Sequence, residues 1–450
     1  MSAARLRLPE LGWPALVTGV GASLGLLAAQ RPAFAVAAAV GLAFVALMAV
    51  DLTVGLCVFT FVSFIDVVPG GPAFSLTKVI GLLLALSWLA TIATRDDVKR
   101  DFFGEHPGAL YLLALFVAWA GVSELWAYNQ GAALTAASRY GLNFLLFPIV
   151  YTALRERRHV MWLAWTFVIG ALVSAAFGVV SPQPTDEGRL TGAIGEANEL
   201  ASVLVAAFVI SCALAIANRR SPGARTAALA AAAICAAGVF FSLSRGGLLA
   251  FGLVLVTGVF VAGRWRGRAA IVALVAALCT LTYFAAFAAP DARDRITHFG
   301  GGAGRVDLWR IGWRMVEDKP VQGVGAGNFQ SASPRYLVRP GALIRDDFVL
   351  DRPKQTHNIY LQVLSELGVP GLALFLAIIF FSLSCGVRGA RSFGGQGDAA
   401  MEVLCWGVTV AALGVLAADF FQSEQFSKQL WLLLALGPAL LALASRRAEA

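Results

Sequence analysis

The sequence predicts an all-α polytopic integral membrane protein, and three observations support this prediction. Hydrophobic residues make up 58% of the 450 residues and charged residues 14%, and the mean hydropathy is +0.75. A soluble core of ordinary size does not reach these values. Apolar runs long enough to cross about 30 Å of hydrocarbon recur along almost the whole chain. Lysines and arginines gather in alternate loops, as the positive-inside rule requires.

The apolar runs predict about 12 to 14 membrane-spanning helices, since a helix needs roughly 20 residues to cross the bilayer. They cover residues 12–29, 33–50, 52–67, 76–94, 108–126, 139–154, 160–180, 196–217, 225–241, 245–263, 269–288, 357–385, 400–418 and 428–445. The third and sixth runs are short, which leaves the count open by about two. One long polar segment separates the last three runs from the others.

These runs divide the chain into four parts. Residues 1–180 hold N-terminal transmembrane helices, and residues 181–288 hold central ones joined by arginine-bearing outer loops. Residues 289–356 form one long extracytoplasmic loop, and residues 357–450 hold the C-terminal transmembrane helices. No cleavable signal pattern opens the sequence, so we expect the first apolar run to direct insertion.

The cationic clusters predict the orientation in the membrane. They follow every second predicted span, at residues 95–100, 155–158, 219–225, 264–268, 388–391 and 446–447. Because short cytoplasmic loops are enriched in arginine and lysine, both termini are expected in the cytoplasm. The long polar segment and the loops that share its side then face outward.

The cysteines and the outer loops give no sign of a cofactor. All six cysteines lie in or at the ends of apolar runs, so we expect packing residues rather than a disulfide framework. The outer loops show no metal-ligand spacing. We therefore predict no metal, no other cofactor and no nucleic-acid ligand, with membrane lipid as the surrounding partner.

The long polar segment contains a predicted helix over residues 305–319. Trp309 and Trp313 lie on one apolar face with Val306 and Val316, which favours a helix along the outer membrane surface. Three arginines would then face lipid headgroups or a polar cleft: Arg305, Arg310 and Arg314. The glycine-rich stretch at 323–327 permits tight turns or close approach to a ligand. No βαβ unit surrounds it, so we reject a dinucleotide-binding domain.

His357 opens a predicted span directly after this polar segment. A histidine in the first turn of a helix feels the positive end of the helix dipole, which favours neutral imidazole and proton acceptance. Neutral imidazole near arginines suits general-base catalysis on an anionic substrate. Asn358, Tyr360 and Glu366 follow as candidate supporting residues, and Glu366 is the main charge inside an apolar run.

Arginines in two short outer loops are the other candidates. Arg245 lies between two apolar runs, where a charge is costly without an anionic partner or water. It is a candidate ligand for substrate phosphates or, alternatively, an arginine that snorkels at a helix end. Arg189 and Asn198 could reach the same cleft, and an ordinary loop is the alternative for both.

Three motifs occur in a fixed order between residues 190 and 375. They are Ser242–Gly247, Arg305–Trp309 leading into Asp318–Phe329, and His357–Gln362 followed by Gly368. In this combination the sequence resembles the O-antigen ligase and polymerase superfamily of bacterial envelope glycosyltransferases. The N-terminal half is similar to that family only as generic apolar helices.

The resemblance implies a GT-C type membrane glycosyltransferase fold in the bacterial inner membrane, with the site on the extracytoplasmic face. Enzymes of that family pass a glycan from an undecaprenyl-diphosphate carrier to an acceptor hydroxyl, on a glycan or glycolipid, without a metal ion. By this likeness His357 would activate the acceptor, and Arg245 and Arg305 would hold the diphosphate. Arg310 is the alternative to Arg305. Ligation, polymerisation and protein O-glycosylation all remain open.

A transporter of lipid-linked envelope precursors, such as a flippase, is the alternative function. Transport of charged solutes usually leaves ionisable groups near mid-membrane or internally repeated broken helices. The predicted spans are nearly free of interior charge, with Glu366 as the main exception. A non-enzymatic assembly scaffold would not require Arg245, Arg305 and His357 together.

Overall fold

The computed structural model describes residues 51–65, 76–94, 102–182, 188–263, 266–287, 304–337 and 354–449, with a few isolated residues elsewhere. Over these ranges the chain forms helices and turns without a strand, which confirms the all-α polytopic fold. The predicted span 33–50 and more than half of the predicted span 12–29 lie outside the described residues.

The helices before the long polar segment are α1 (Leu52–Val62), α2 (Leu76–Thr94), α3 (Phe102–Glu105), α4 (Pro107–Val122), α5 (Gln130–Phe144), α6 (Leu146–Ala153), α7 (Arg157–Val180), α8 (Ala197–Ala217), α9 (Pro222–Phe241), α10 (Arg245–Val261) and α11 (Arg266–Thr282). Those within and after it are α12 (Arg305–Asp318), α13 (Phe329–Leu337), α14 (Ile359–Gly395), α15 (Ala399–Ala418) and α16 (Lys428–Glu449). Short 3₁₀ turns extend α4 and α15, at Ser123–Trp126 and Asp419–Phe421.

Eight candidate spans within the described ranges are long and apolar enough to cross a membrane. They are α4, α5 joined to α6, α7, α8, α9, α14, α15 and α16, and the shorter apolar helices α1, α2 and α10 accompany them. The span predicted at 139–154 begins earlier, at Gln130. The first turns of α5 carry polar and small residues, which hide the start of this helix from a hydropathy pattern.

The centre of the bundle is built on α8 and α16, in which 78% and 83% of the spanning window is buried. Small residues allow this close approach. A Cβ on Gly407 of α15 would lie 2.6 Å from the Cβ of Ala213 in α8, and one on Gly437 of α16 would lie 2.2 Å from the carbonyl oxygen of Ser382. Lipid provides no hydrophobic driving force for helix association. Close packing of this kind therefore stabilises the contacts between helices. The six cysteines are free, as expected.

The helix ends define two opposite faces of this bundle. One face, the His357 face, gathers the starts of α8, α10, α14 and α16 and the ends of α9 and α15. The other gathers the starts of α7, α9 and α15 and the ends of α8, α14 and α16, and it carries the arginine clusters around Arg157, Arg219 and Arg447. The positive-inside rule predicts that this second face is cytoplasmic.

Candidate active site

His357 lies immediately before α14 in a left-handed backbone conformation, with φ of 51°. The helix begins two residues later, so His357 precedes the first turn instead of opening it. Asn358 is the N-cap, and its Oδ1 accepts hydrogen bonds from the N–H groups of Tyr360 and Leu361, each at 3.0 Å. A non-glycine residue in this conformation costs about 1–2 kcal/mol, so its surroundings must hold it there.

A hydrogen-bond network around Thr356 holds the His357 backbone. The Thr356 N–H donates to Oε1 of Gln362 at 3.0 Å, and its hydroxyl lies 3.0 Å from that of Ser423. The indole N–H of Trp309, on α12, donates to the Thr356 carbonyl at 3.0 Å. Three separate elements therefore fix the position from which the imidazole projects.

The surroundings of His357 favour its neutral form. Burial lowers the pKa of the imidazole, and the charges of Arg305 and Lys354 lower it further, whereas the Glu196 carboxylate acts in the opposite direction. An imidazole whose pKa is lowered from its ordinary value near 6.5 is predominantly neutral at pH 7. His357 can therefore accept a proton under physiological conditions.

Arg305 and Arg245 share the neighbourhood of His357. Arg305 is the first residue of α12, and burial together with the charge of Arg245 lowers the pKa of its guanidinium, while Glu196 raises it. Arg245 is the first residue of α10. Glu196 acts on both His357 and Arg305, and Arg245 acts on Arg305, so these four side chains lie in one electrostatic neighbourhood.

The other two arginines of α12 are engaged elsewhere. Nη1 of Arg310 pairs with the buried Asp307 carboxylate at 3.2 Å. Nη1 of Arg314 donates to the Tyr336 carbonyl at 2.8 Å, which joins α12 to α13. Of the three candidates on this helix, the structure brings Arg305 to His357.

The buried face of α12 differs from the predicted one. Leu308, Ile311 and Met315 are fully buried, whereas Trp313 is 54% exposed. The helix rests on protein, since a Cβ on Gly312 would lie 3.1 Å from the Leu361 side chain of α14. Packing on α14 and α13 therefore turns the helix relative to the face that tryptophan spacing alone predicts.

Arg189 and Asn198 form a brace beside the site. Arg189 donates from Nε to the Ser242 carbonyl and from Nη2 to Oδ1 of Asn198, each at 3.0 Å. The same Oδ1 accepts the hydroxyl of Ser244 at 2.9 Å, and the Asn198 amide donates to Glu196 at 3.1 Å. Ser244 is the N-cap of α10. The brace thus positions the start of α10 and the Glu196 carboxylate. The guanidinium of Arg189 is used in these hydrogen bonds.

Glu366 and Tyr360 are anchored to protein rather than to the site. Glu366 is 1% exposed, and its carboxylate accepts the N–H groups of Gly327 and Phe329 at 2.8 and 3.2 Å. The Tyr360 hydroxyl donates to the Leu416 carbonyl of α15 at 2.9 Å. Both residues therefore secure α14, the first to the glycine-rich loop and the second to a neighbouring helix.

The glycine-rich loop approaches the α14 backbone. A Cβ on Gly323, whose φ is 67°, would lie 2.3 Å from the Glu366 carbonyl oxygen. The N–H groups of Val324 and Gly325 donate to the Ser365 and Glu366 carbonyls at 3.0 and 2.9 Å. The close approach that the glycines predict is therefore made to helix α14. It leaves no room for a side chain at Gly323.

Gly368 makes this contact possible by interrupting α14, with φ of 68° and ψ of −171°. The Val369 N–H donates to the Pro320 carbonyl at 2.8 Å. The indole N–H of Trp119 donates to the Leu367 carbonyl, also at 2.8 Å, so that this backbone group keeps a partner. The kink thereby locks the first part of α14, which follows His357, to the glycine-rich loop.

An acidic cluster beside the arginines was missed by sequence reasoning. The carboxylates of Glu196, Glu199 and Glu424 have oxygens within 4.8 Å of one another, and burial followed by the charges of Asp419 and Glu196 raises the pKa of Glu424 to about 8. It is the one group among the described residues with three side chains placed to hold a metal ion. The spacing of Glu196 and Glu199 signals a shared helix face, but nothing local signals Glu424.

The fold and the site together define a multi-pass helical membrane protein with a histidine and two arginines at one face. Residues 230–376 match a protein-family model described as O-Antigen ligase. This third of the chain, which includes Arg245, Arg305 and His357, is similar to the O-antigen ligase family, and the match supports the resemblance to the O-antigen ligase and polymerase superfamily. The match indicates an O-antigen ligase-like enzyme of the inner membrane. No curated protein matches the chain.

Proposed function

We propose that this protein transfers a glycan from an undecaprenyl-diphosphate carrier to an acceptor hydroxyl at the outer face of the inner membrane. The observation that carries the proposal is that the partly buried His357, whose pKa is lowered, shares one electrostatic neighbourhood with Arg305 and Arg245. The match of this segment to the O-antigen ligase family supports the same reaction class.

His357 acts as the general base in this reaction. Its imidazole nitrogen takes the proton of the acceptor hydroxyl while the hydroxyl oxygen attacks the anomeric carbon of the carrier-linked sugar. The bond from that carbon to the diphosphate oxygen breaks, and the electron pair leaves with the diphosphate. The imidazolium that forms is stabilised by the Glu196 carboxylate, whose charge favours the protonated form.

Arg245 and Arg305 stabilise the leaving diphosphate. Guanidinium groups form charge-assisted, often bidentate bonds to phosphate oxygens, and these bonds strengthen as charge develops in the transition state. Because the arginines compensate that charge, the transfer proceeds without a metal ion. The acceptor is a glycan or glycolipid hydroxyl.

Reconstituted proteoliposomes that contain undecaprenyl-diphosphate oligosaccharide test the role of Arg305. We expect Arg305→Gln to reduce transfer by about 10²-fold, because loss of one donor to a developing oxyanion has an effect of this order. The matched control is Arg310→Gln, which removes the same charge from the same helix and should leave transfer within about threefold. A larger loss with Arg310→Gln would assign the diphosphate to Arg310. Carrier translocation without any glycan product would favour a flippase.

The pH dependence of transfer tests the pairing of His357 with Glu196. A base must be neutral, so the rate falls as pH drops through the His357 pKa. Since Glu196 raises that pKa, Glu196→Gln should lower it and shift the acid limb of kcat/KM to lower pH. Glu199→Gln, from the same cluster, should leave the limb in place. A shift to higher pH, or equal shifts in both variants, would contradict the pairing.

A further inference from the structure

A second polar site lies at the end of the bundle opposite His357. It is a cavity of about 470 Å³ between the end of α8, the starts of α9 and α15, and the ends of α14 and α16. Helix α8 has 21 residues, so it separates this cavity from the Asn198 brace by roughly 30 Å. The cavity therefore does not belong to the proposed transfer site, and its volume lies within the range of small-ligand sites.

The charges that line this cavity are mainly positive. Four arginines line it, and Asp398 is the one acidic residue among the lining side chains; the arginines are Arg157, Arg219, Arg220 and Arg447. Arg219 and Arg220 are exposed and follow the last turn of α8. An anion that enters the cavity would therefore meet an excess of three positive charges.

Asp398 is a structural part of this wall. It is 8% exposed, caps α15 by accepting the Met401 N–H at 3.2 Å, and accepts a hydrogen bond from Arg447. Nη1 of Arg157 lies 3.7 Å from its other oxygen. One buried carboxylate thus orients two guanidinium groups from different helices toward a shared space. Arginines that only mark the cytoplasmic side of a membrane protein do not require such an arrangement.

We propose that this cavity binds a phosphate-bearing anion, supplied by the headgroup of an anionic phospholipid or by free phosphate. Guanidinium groups match phosphate oxygens in geometry and charge. Basic pockets between transmembrane helices on the cytoplasmic side are suited to anionic headgroups, and the arginine distribution predicts that side for this face. Binding would join the ends of α8, α14 and α16 to the starts of α7, α9 and α15.

The full chain in phosphatidylcholine nanodiscs provides the test. Short-chain phosphatidylglycerol, short-chain phosphatidylcholine and inorganic phosphate are titrated separately, and the shift in Tm gives the affinity of each. We expect phosphatidylglycerol to stabilise the wild type, and Arg219→Gln/Arg220→Gln to weaken its binding by about tenfold or more. The matched control, Arg266→Gln/Arg268→Gln, removes two exposed arginines from the same predicted face but outside the cavity.

Each outcome has a defined meaning. A response to phosphatidylglycerol alone identifies a lipid headgroup, and a response to inorganic phosphate as well identifies a site open to free phosphate. Equal weakening by the control variant would show diffuse surface charge and overturn the proposal. Equal stabilisation by phosphatidylcholine would overturn it too. If the double variant lowers Tm without ligand, the single variants Arg219→Gln and Arg220→Gln provide the same comparison.

Discussion

Replacement of His357 by asparagine is expected to reduce glycan transfer by about 10²–10⁴-fold, the range for loss of a general base. Asparagine tolerates the left-handed conformation that His357 adopts, so the change removes the imidazole without adding backbone strain. It cannot accept the proton at neutral pH. The measurement is single-turnover transfer in proteoliposomes, with carrier binding determined separately on the same preparation.

Two controls make the His357 result specific. Gln355→Ala changes an exposed neighbour in the same segment and should transfer at the wild-type rate. Lost transfer with unchanged carrier affinity identifies a catalytic residue, because the arginines still hold the diphosphate. Transfer within about threefold of wild type would exclude His357 as the base. Loss of carrier binding together with transfer would indicate a positioning role instead.

The substitution Gly368→Ala is expected to destabilise the protein by about 4 kcal/mol, at the upper end for single changes. A Cβ there would lie 2.0 Å from the Val321 carbonyl oxygen, and the φ of 68° is unfavourable for alanine. The contact is between two backbones, so no side chain can turn aside to relieve it. Thermal or denaturant unfolding of the purified protein in a defined detergent measures the loss.

The same helix offers a matched control for this prediction. Gly395→Ala introduces its methyl group where no heavy atom lies within 4 Å. Because alanine is the better helix former, this variant should match or slightly exceed wild-type stability. If both variants unfold alike, the kink is not held by the contact with the glycine-rich loop. If Gly368→Ala alone is unstable, the backbone contact of Gly368 with Val321 holds the kink against the glycine-rich loop.

Much of the fold was predictable because the membrane imposes it locally. Apolar runs such as 196–217 and 400–418 match α8 and α15 closely, since only a helix satisfies every backbone group in hydrocarbon. The helix at 139–154 was predicted short because α5 begins with polar and small residues. Hydropathy reports the apolar length of a helix and misses a start that consists of polar and small residues.

The candidate site was predictable in its residue types and only partly in their roles. A cation between apolar runs and a histidine beside a polar loop are visible in sequence, and the structure brings Arg245, Arg305 and His357 together. Spacing could not choose between Arg305 and Arg310. Both lie on one helix, and only the pairing of Arg310 with Asp307 separates them.

The sequence by itself determined that this protein is a helical membrane protein and which of its segments carry polar chemistry, because partition into lipid depends on each segment's own side chains. The tertiary structure decided where those polar groups lie. It turned Glu366 toward the glycine-rich loop, used Arg189 as a brace and brought Glu424 to Glu196. These contacts join residues far apart in the chain, and they depend on how helices pack, which no local pattern encodes.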